Sequence, residues 1–434
     1  MELGKHLSKG IWGLADKALP VVYGLAYIWL VIRVLPEEEF GNFVLVQEIF
    51  LIISGLATAF ALQPLVKFSS EDNADLRQIV SASLVLNAAF IAATSIIVIA
   101  LSVPAAELFN SPALSVLLLY VPAMLIASFA RNFTLMLLQA KFRIREVFWT
   151  DALHFLGAPF LVWVQSRMHK FDSALDMIII NIISLSLSSV AGLWYTRGTA
   201  QVTLFPSRAA LRAIWHYGKY TLGGVVSSLF STRADSFVLS AFTGPVQVAV
   251  YNSAKVFVRI YEMASQVVQM FVLPASSRFS SREDWGALKA LTEKATLFLT
   301  LGLLPITVLF LVVPNFLVEI LYGGRYEAAV PVLRVFSMLT FVVPLAAVGN
   351  NVLMGLGQVR LTFILGVQVL GISLVAFFVC IPSGGSFGAG VGYLVAAVLT
   401  AVLTWFALTR HVPLTPSEIL RRINDIKVFL RNRL

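Results

Sequence analysis

Apolar stretches of membrane-spanning length recur from one end of this chain to the other, and they limit its possible folds more than any other feature. A helix crossing the hydrocarbon core needs roughly 20 apolar residues. Such runs are read near 12–35, 41–66, 78–103, 112–139, 148–165 and 174–196, then near 217–242, 248–274, 295–321, 328–355, 359–381 and 387–409. Composition agrees: 58% of the 434 residues are hydrophobic and 13% are charged, against about 25% charged in soluble domains. The period-2 alternation of a membrane β-barrel is absent. The expected fold is an all-α polytopic membrane protein with about twelve transmembrane helices.

Lys and Arg fall unevenly on the connecting segments. With the N-terminus inside, the inner segments hold Lys5, Lys9, Lys67, Arg77, Lys141, Arg143, Arg145, Arg197, Arg208, Arg212 and Lys219. They continue with Arg278, Arg282, Lys289, Lys294 and Arg360, then Arg410, Arg421, Arg422, Lys427, Arg431 and Arg433 in the tail. The outer segments hold only Arg33, Arg167, Lys170 and Arg325. The positive-inside rule then predicts a multi-pass cell-membrane protein with both termini cytoplasmic. The net charge of +9 is accounted for as a topology signal, and no nucleic-acid partner is expected. No cleavable signal peptide is expected, because the run after Lys9 is too long for a signal core and no small-residue cleavage site follows. Cys380 is the single cysteine and lies in a span, which excludes disulfides and cysteine-rich metal sites. No cofactor is expected. The connecting loops are short, the longest near 197–216, so none holds a soluble catalytic domain.

The two halves repeat a pattern. PEEEFGNF (36–43) leads through a span to Pro64 and the polar SSEDNADLR (69–77). TGPVQVAVY (243–251) leads likewise to Pro274 and SSRFSSREDW (276–285). Later, VPAAELFN (103–110) precedes LLQAKFR (137–143) as VPNFLVEILYG (313–323) precedes VLMGLGQVR (352–360). The expected domains are a six-helix lobe over 1–200, a second over 201–412 and a basic amphipathic tail over 413–434. Parallel repeats of this kind imply two lobes around a central cavity. In the tail, Ile419, Ile423, Ile426 and Phe429 form an apolar stripe. There and in 206–220 the basic residues serve either anionic-lipid contact or topology, with topology the simpler reading.

Ionisable residues within spans mark the candidate site, since each is costly in hydrocarbon and must face protein or water. The cations at depth are Lys17, Arg131, Arg233, Lys255, Arg259 and Arg334, and the acids are Asp16, Glu48, Asp151, Asp235 and Glu262. At about 100° per residue, Tyr251, Lys255, Arg259, Glu262, Gln266 and Gln269 fall within roughly 80° of arc on one helix. A hydrated cavity accounts for such a stripe. An i,i+3 pair of Arg259 with Glu262 is the rival reading, and it leaves Lys255, Gln266 and Gln269 without a role. Arg131 is read as cavity-lining, Arg334 as lining or snorkelling to the outer interface, and Arg233 and Asp235 as pointing to different faces. His154 is read first as a helix–helix contact and second as a titrating group.

These segments carry a resemblance. STRADSFVLSAFTGPVQVAVYNSAKVF (231–257), VLPEEEFGNFVLVQ (34–47), EILYGGRYEAAVPVLRVFS (319–337), VLMGLGQVRLTF (352–363) and SFGAGVGYLVAAVL (386–399) resemble the polysaccharide-transport flippases. Those belong to the multidrug/oligosaccharidyl-lipid/polysaccharide exporter superfamily. The resemblance implies movement of polyprenyl-pyrophosphate-linked oligosaccharides from the inner to the outer leaflet, by alternating access of two lobes with a cationic cavity. It implies membrane lipids and other polysaccharide-assembly proteins as partners, and no enzymatic activity. Relatives place arginines and an acid on early helices of the second lobe, a placement similar to Arg259 and Glu262. Substrate contact is expected from Lys255, Arg259, Arg233, Gln266, Gln269 and Tyr251, and from Arg131 and Arg334 on the local charge argument alone. Glu262 and Asp235 are the expected ion-coupling groups.

Other functions fit less well. A multidrug antiporter of the same superfamily calls for an acidic cavity, whereas the deep charges lean cationic. A membrane glycosyltransferase or polymerase calls for a catalytic acid or metal site on sizeable outer loops, and there is no Asp-x-Asp motif. An ATP-driven exporter lacks its GxxxxGK[ST] phosphate loop.

Overall fold

The computed structural model describes residues 12–422 apart from 13, 14, 17, 21, 25, 69–74, 142, 169–170, 199–201 and 204. Lys5, Lys9, Lys17, most of the polar stretch 69–77, part of the first expected span and tail residues 423–434 therefore lie outside the described residues. Among those described, every regular element is helical. The chain divides into two compact units, one ending at Ala249 and the other beginning at Val250.

The first unit contains α1 (Glu37–Phe68), α2 (Leu76–Ala100), α3 (Leu114–Ala140), α4 (Ile144–Phe155), α5 (Gly157–Arg167), α6 (Ala174–Thr196) and α7 (Arg208–Thr243). Their starts follow side-chain capping. Asp75 accepts from Gln78 N, Ser207 accepts from Ala210 N, and Ser173 with Asp176 closes a reciprocal box ahead of α6. Each satisfies amide donors that no helical carbonyl reaches.

Helix α7 is tied to the first unit along its length. Near its start, a Cβ on Gly218 would stand 2.0 Å from the Phe60 carbonyl, so only glycine permits the approach. Thr221 Oγ1 donates to the Ala59 carbonyl at 2.7 Å, within a π turn of α1 at Thr58–Leu62. At the far end, Ser240 Oγ donates to Phe109 O (3.0 Å) and Asn110 Nδ2 to Ala241 O (2.9 Å). Gly244 (φ 79°) then stops the helix, and a Cβ on Gly41 would lie 1.9 Å from the Pro245 carbonyl. The sequence repeat counts α7 as the opening helix of the second half, whereas these partners all belong to the first unit.

Helix α8 (Pro245–Lys255) crosses the division. The second unit continues with α9 (Val258–Ser281), α10 (Trp285–Val312), α11 (Pro314–Tyr322), α12 (Val330–Ser337), α13 (Leu339–Gly355), α14 (Val359–Thr409) and α15 (Pro416–Arg421). Its core gathers Val272, Leu288, Val348, Val352, Leu353, Leu408 and Val412.

Among the described residues, seven helices are long and apolar enough to cross a membrane, or nine if each of two bent pairs is one span. The pairs are α8 with α9, bent by 44°, and Glu327–Ser337 with α13, bent by 49°. The expected count of twelve is not reached, for local reasons. Spans 359–381 and 387–409 run as one helix broken at Gly385 (φ 53°). Helix α7 is diluted by Arg233, Asp235 and its serines, and the first span is only partly described.

Candidate functional site

The polar stripe read from the sequence falls on two helices. Around Val256 and Phe257 the backbone switches to i→i−3 bonding: Phe257 N to Ala254 O (3.1 Å), Arg259 N to Val256 O (3.3 Å) and Ile260 N to Phe257 O (3.1 Å). Tighter turns of this kind shift the angular register. Tyr251 and Lys255 thus sit on α8, and Arg259, Glu262, Gln266 and Gln269 on α9. Tyr251 is fully buried, edge-on to Phe336 at 6.0 Å, and the half-buried Lys255 places its Nζ 5.7 Å from the Tyr251 ring. The continuous stripe of the sequence reading is therefore corrected: its first two members belong to packed surroundings.

Helix α9 divides into three sectors. Tyr261, Val272 and Ser276 are buried. Tyr261 accepts from Thr340 Oγ1 at 3.1 Å, and a Cβ on Gly355 would be 2.6 Å from Ser276 Cβ, so this face is pressed against α13. Arg259, Glu262, Gln266 and Gln269 are exposed and occupy roughly 80° of arc next to the buried face. Beyond them lie Ile260, Met263, Val267, Met270 and Phe271, also exposed, the last two at 67% and 70%. No ion pair joins Arg259 to Glu262 among the described residues. One helix thus presents a packed face, a polar face and an apolar open face side by side. Arg334 is exposed in the last turn of α12.

In the first unit two arginines are held by carboxylates inside the helical layer. Arg131 on α3 pairs with Asp151 on α4, their side chains 12% and 14% exposed. Its Nη1 also reaches Asn132 Oδ1 at 3.3 Å, and its guanidinium lies 5.7 Å from the Phe155 ring. Asn132 in turn donates to Ser54 Oγ on α1 (2.9 Å). Arg233 on α7 pairs with Glu48 on α1. In both arginines Nε is buried with no hydrogen-bond partner among the described residues, so each guanidinium keeps an unused donor. Glu48 is eleven residues into α1 and Arg233 ten from the end of α7, about 15 Å along each helix.

The remaining expected residues are placed as follows. Asp235 is 1% exposed and accepts from the Ser236 amide at 2.8 Å. Arg233 and Asp235 do face different surroundings. His154 Nδ1 is 3.0 Å from Ser184 Oγ and its ring stacks on Tyr23 at 5.9 Å, the helix–helix contact that was the first reading. No cluster of His, Cys, Asp or Glu suited to a metal occurs among the described residues. Sequence reasoning named Glu48 and Asp151 as acids at depth and missed their partners. Separations of 185 and 20 residues leave no local signal for either pairing.

Comparison with known proteins agrees with this architecture. The sequence profile of a family described as polysaccharide biosynthesis protein matches residues 30–331. An uncharacterized membrane protein of Methanocaldococcus jannaschii is 27% identical over 186 residues, 43% of this chain and 37% of that protein. Among solved structures, the lipid II flippase MurJ aligns over 96% of this chain and 90% of its own, with TM-score 0.77 and 12% identity. An inward-facing multidrug resistance MATE family transporter of the MOP superfamily aligns over 94% of this chain and 99% of its own, with TM-score 0.73 and 14% identity. At such identities the likeness is one of fold.

Proposed function

Because the chain belongs to that family of polysaccharide biosynthesis proteins, we propose that it moves polyprenyl-pyrophosphate-linked oligosaccharides from the cytoplasmic to the outer leaflet for cell-surface polysaccharide synthesis. It does so as a carrier and not as an enzyme. The physical problem is the diphosphate: unpaired charge in hydrocarbon is prohibitive, and it must be met by groups that replace water. Guanidiniums bind its oxygens bidentately and stay charged under all conditions. Arg259, Arg131, Arg233 and Arg334 are assigned that task together with Lys255, and Gln266 and Gln269 are assigned to the sugars. Tyr251 supports Lys255 from its buried position.

The observation that carries this reading is the sectoring of α9. A polar arc with Arg259 runs beside an open apolar arc with Met270 and Phe271. An amphiphile whose headgroup follows water while its chain stays in lipid meets both requirements on that one helix. Glu48 and Asp151 balance the two arginines of the first unit while no substrate is bound. Glu262 and Asp235 are the proposed ion-coupling groups, alternating access of the two halves the proposed cycle, and the cell membrane with both termini inside the proposed setting.

The multidrug antiporter is the second reading, favoured by the MATE-like fold. It is tested together with the first. In proteoliposomes, Arg259→Ala should lower flipping of a polyprenyl-pyrophosphate oligosaccharide by about tenfold or more, as loss of a charge-assisted contact predicts. Efflux of cationic drugs with wild-type protein, unaffected flipping in Arg259→Ala, or both, would overturn the proposal.

A further inference from the structure

The first turns of α7 carry a charged face that the transport reading does not use. The helix has 36 residues, about 54 Å at 1.5 Å per residue, against a hydrocarbon layer about 30 Å thick. A helix of that length reaches past the layer. Its charge is gathered at the start, since the next charged side chain after Lys219 is Arg233. Between Asp176 and Asp235 the chain has no acidic residue at all.

Packing fixes which face carries this charge. Ala210, Ile214 and Gly218 are buried, the first two in an apolar cluster with Ala82 of α2. On the opposite side Arg208, Arg212 and Lys219 are exposed and fall within about 40° of arc. Trp215 borders this stripe on one side and Tyr220 on the other, 56% and 67% exposed. Trp215 meets the Phe60 ring edge-on at 5.2 Å, and Tyr220 meets the His216 ring at 5.4 Å and Lys219 Nζ at 5.0 Å. Phe205, 87% exposed, stands two residues before the Ser207 cap.

These features call for a partner that is anionic and partly apolar. Like charges at i,i+4, such as Arg208 and Arg212, repel along a helix. Among the described residues none of the three cations forms an ion pair. Asp75 lies at the start of α2, where Gln78 accepts from the Ser207 amide, but it caps its own helix. Water satisfies the cations and leaves Phe205, Trp215 and Tyr220 in an unfavourable setting. A topology signal requires cations in the segment, but neither their alignment in one stripe nor aromatic margins. Lipid phosphates, with ester groups and acyl chains beneath them, suit both the cations and the rings.

We propose that this face docks on the anionic phospholipids of the leaflet in which the start of α7 lies. Headgroup phosphates pair with Arg208, Arg212 and Lys219, while Trp215 and Tyr220 sit at the level of the ester groups and Phe205 enters the acyl region. The surface is distinct from the arginines assigned to transport.

The test uses the full chain in phosphatidylcholine vesicles with trace acyl-spin-labelled phosphatidylglycerol or phosphatidylcholine, and reads the motionally restricted fraction of each label. Phosphatidylglycerol should be retained about threefold better at low salt, falling toward parity at about 0.5 M salt. Arg208→Gln with Arg212→Gln and Lys219→Gln should remove most of that preference. The same loss of charge by Arg278→Gln, Arg282→Gln and Arg360→Gln, exposed in the second unit, should leave most of it. No preference in the wild type, or an equal loss in the two triple variants, overturns the proposal, and the wild-type measurement decides even where a variant fails to fold. In native membranes, a photo-crosslinker on His216→Cys in a Cys380→Ser background should attach phospholipid, and capture of a protein in its place also overturns it. Because no transport is measured, these outcomes stand apart from the flipping assay.

Discussion

Removing Asp151 while leaving Arg131 in place isolates what a paired charge contributes inside the first unit. At an effective dielectric near 20 the attraction of such a pair is about 4 kcal/mol at 4 Å, and stripping one partner from a buried pair typically costs about 3–5 kcal/mol. Here Arg131 keeps Asn132 at 3.3 Å and the Phe155 ring at 5.7 Å, and a cation–π contact returns about 0.5–1 kcal/mol. Asp151→Leu should therefore destabilise by about 2–4 kcal/mol. Arg131→Met with Asp151→Leu removes both desolvated charges and should lie within about 1 kcal/mol of wild type. Denaturant unfolding in mixed micelles, followed by tryptophan fluorescence over the four-member cycle, gives the coupling directly. The double variant should be stable and unable to flip a polyprenyl-pyrophosphate glycan. Additive losses, or a single loss below about 0.5 kcal/mol, would refute the reasoning that the pair is insulated from water.

Three further outcomes follow from the geometry. Gly41→Ala puts a Cβ 1.9 Å from the Pro245 carbonyl and should destabilise by about 1–3 kcal/mol or more through overpacking, read as a lower melting temperature; Gly157→Ala, with open space around it, should leave that temperature near wild type. The Glu418 carboxyl is held below its ordinary range by hydrogen bonds from Lys289 and Thr415. Its folded-state pKa is depressed, so its contribution is present above the unfolded carboxylate pKa and fades as pH falls through the folded value. Protection of the amides over 416–421, taken relative to their intrinsic exchange rates, should therefore fall on acidification below the ordinary carboxylate range, and Glu418→Gln should remove that pH dependence.

The spans were legible because twenty-residue apolar runs have few alternatives, and the charges within them stood out for the same reason. The α8–α9 bend was not: Val256 and Phe257 are neither glycine nor proline, and the break shows only in backbone bonding. Without it, Tyr251 and Lys255 read as continuous with Arg259. The packing partners of α7 were hidden too, since Gly218 against Phe60 and Gly41 against Pro245 are contacts between distant segments that periodicity cannot pair. The tail read as a membrane-surface helix from its apolar stripe. In the structure Ile419 lines a cavity and Arg422 reaches Glu293, a partner 129 residues away.

The central claim is that the polar arc of α9 faces water while the adjoining apolar arc faces lipid. Cys380 is the single native cysteine, so a Cys380→Ser background allows single cysteines at 262, 266 and 269 and at 263, 267 and 270 to be compared in native membranes. With a membrane-impermeant thiol reagent, the first set should react and be protected by added polyprenyl-pyrophosphate oligosaccharide, and the second should stay unreactive. Equal labelling of both sets, or labelling of the second alone, would contradict the account.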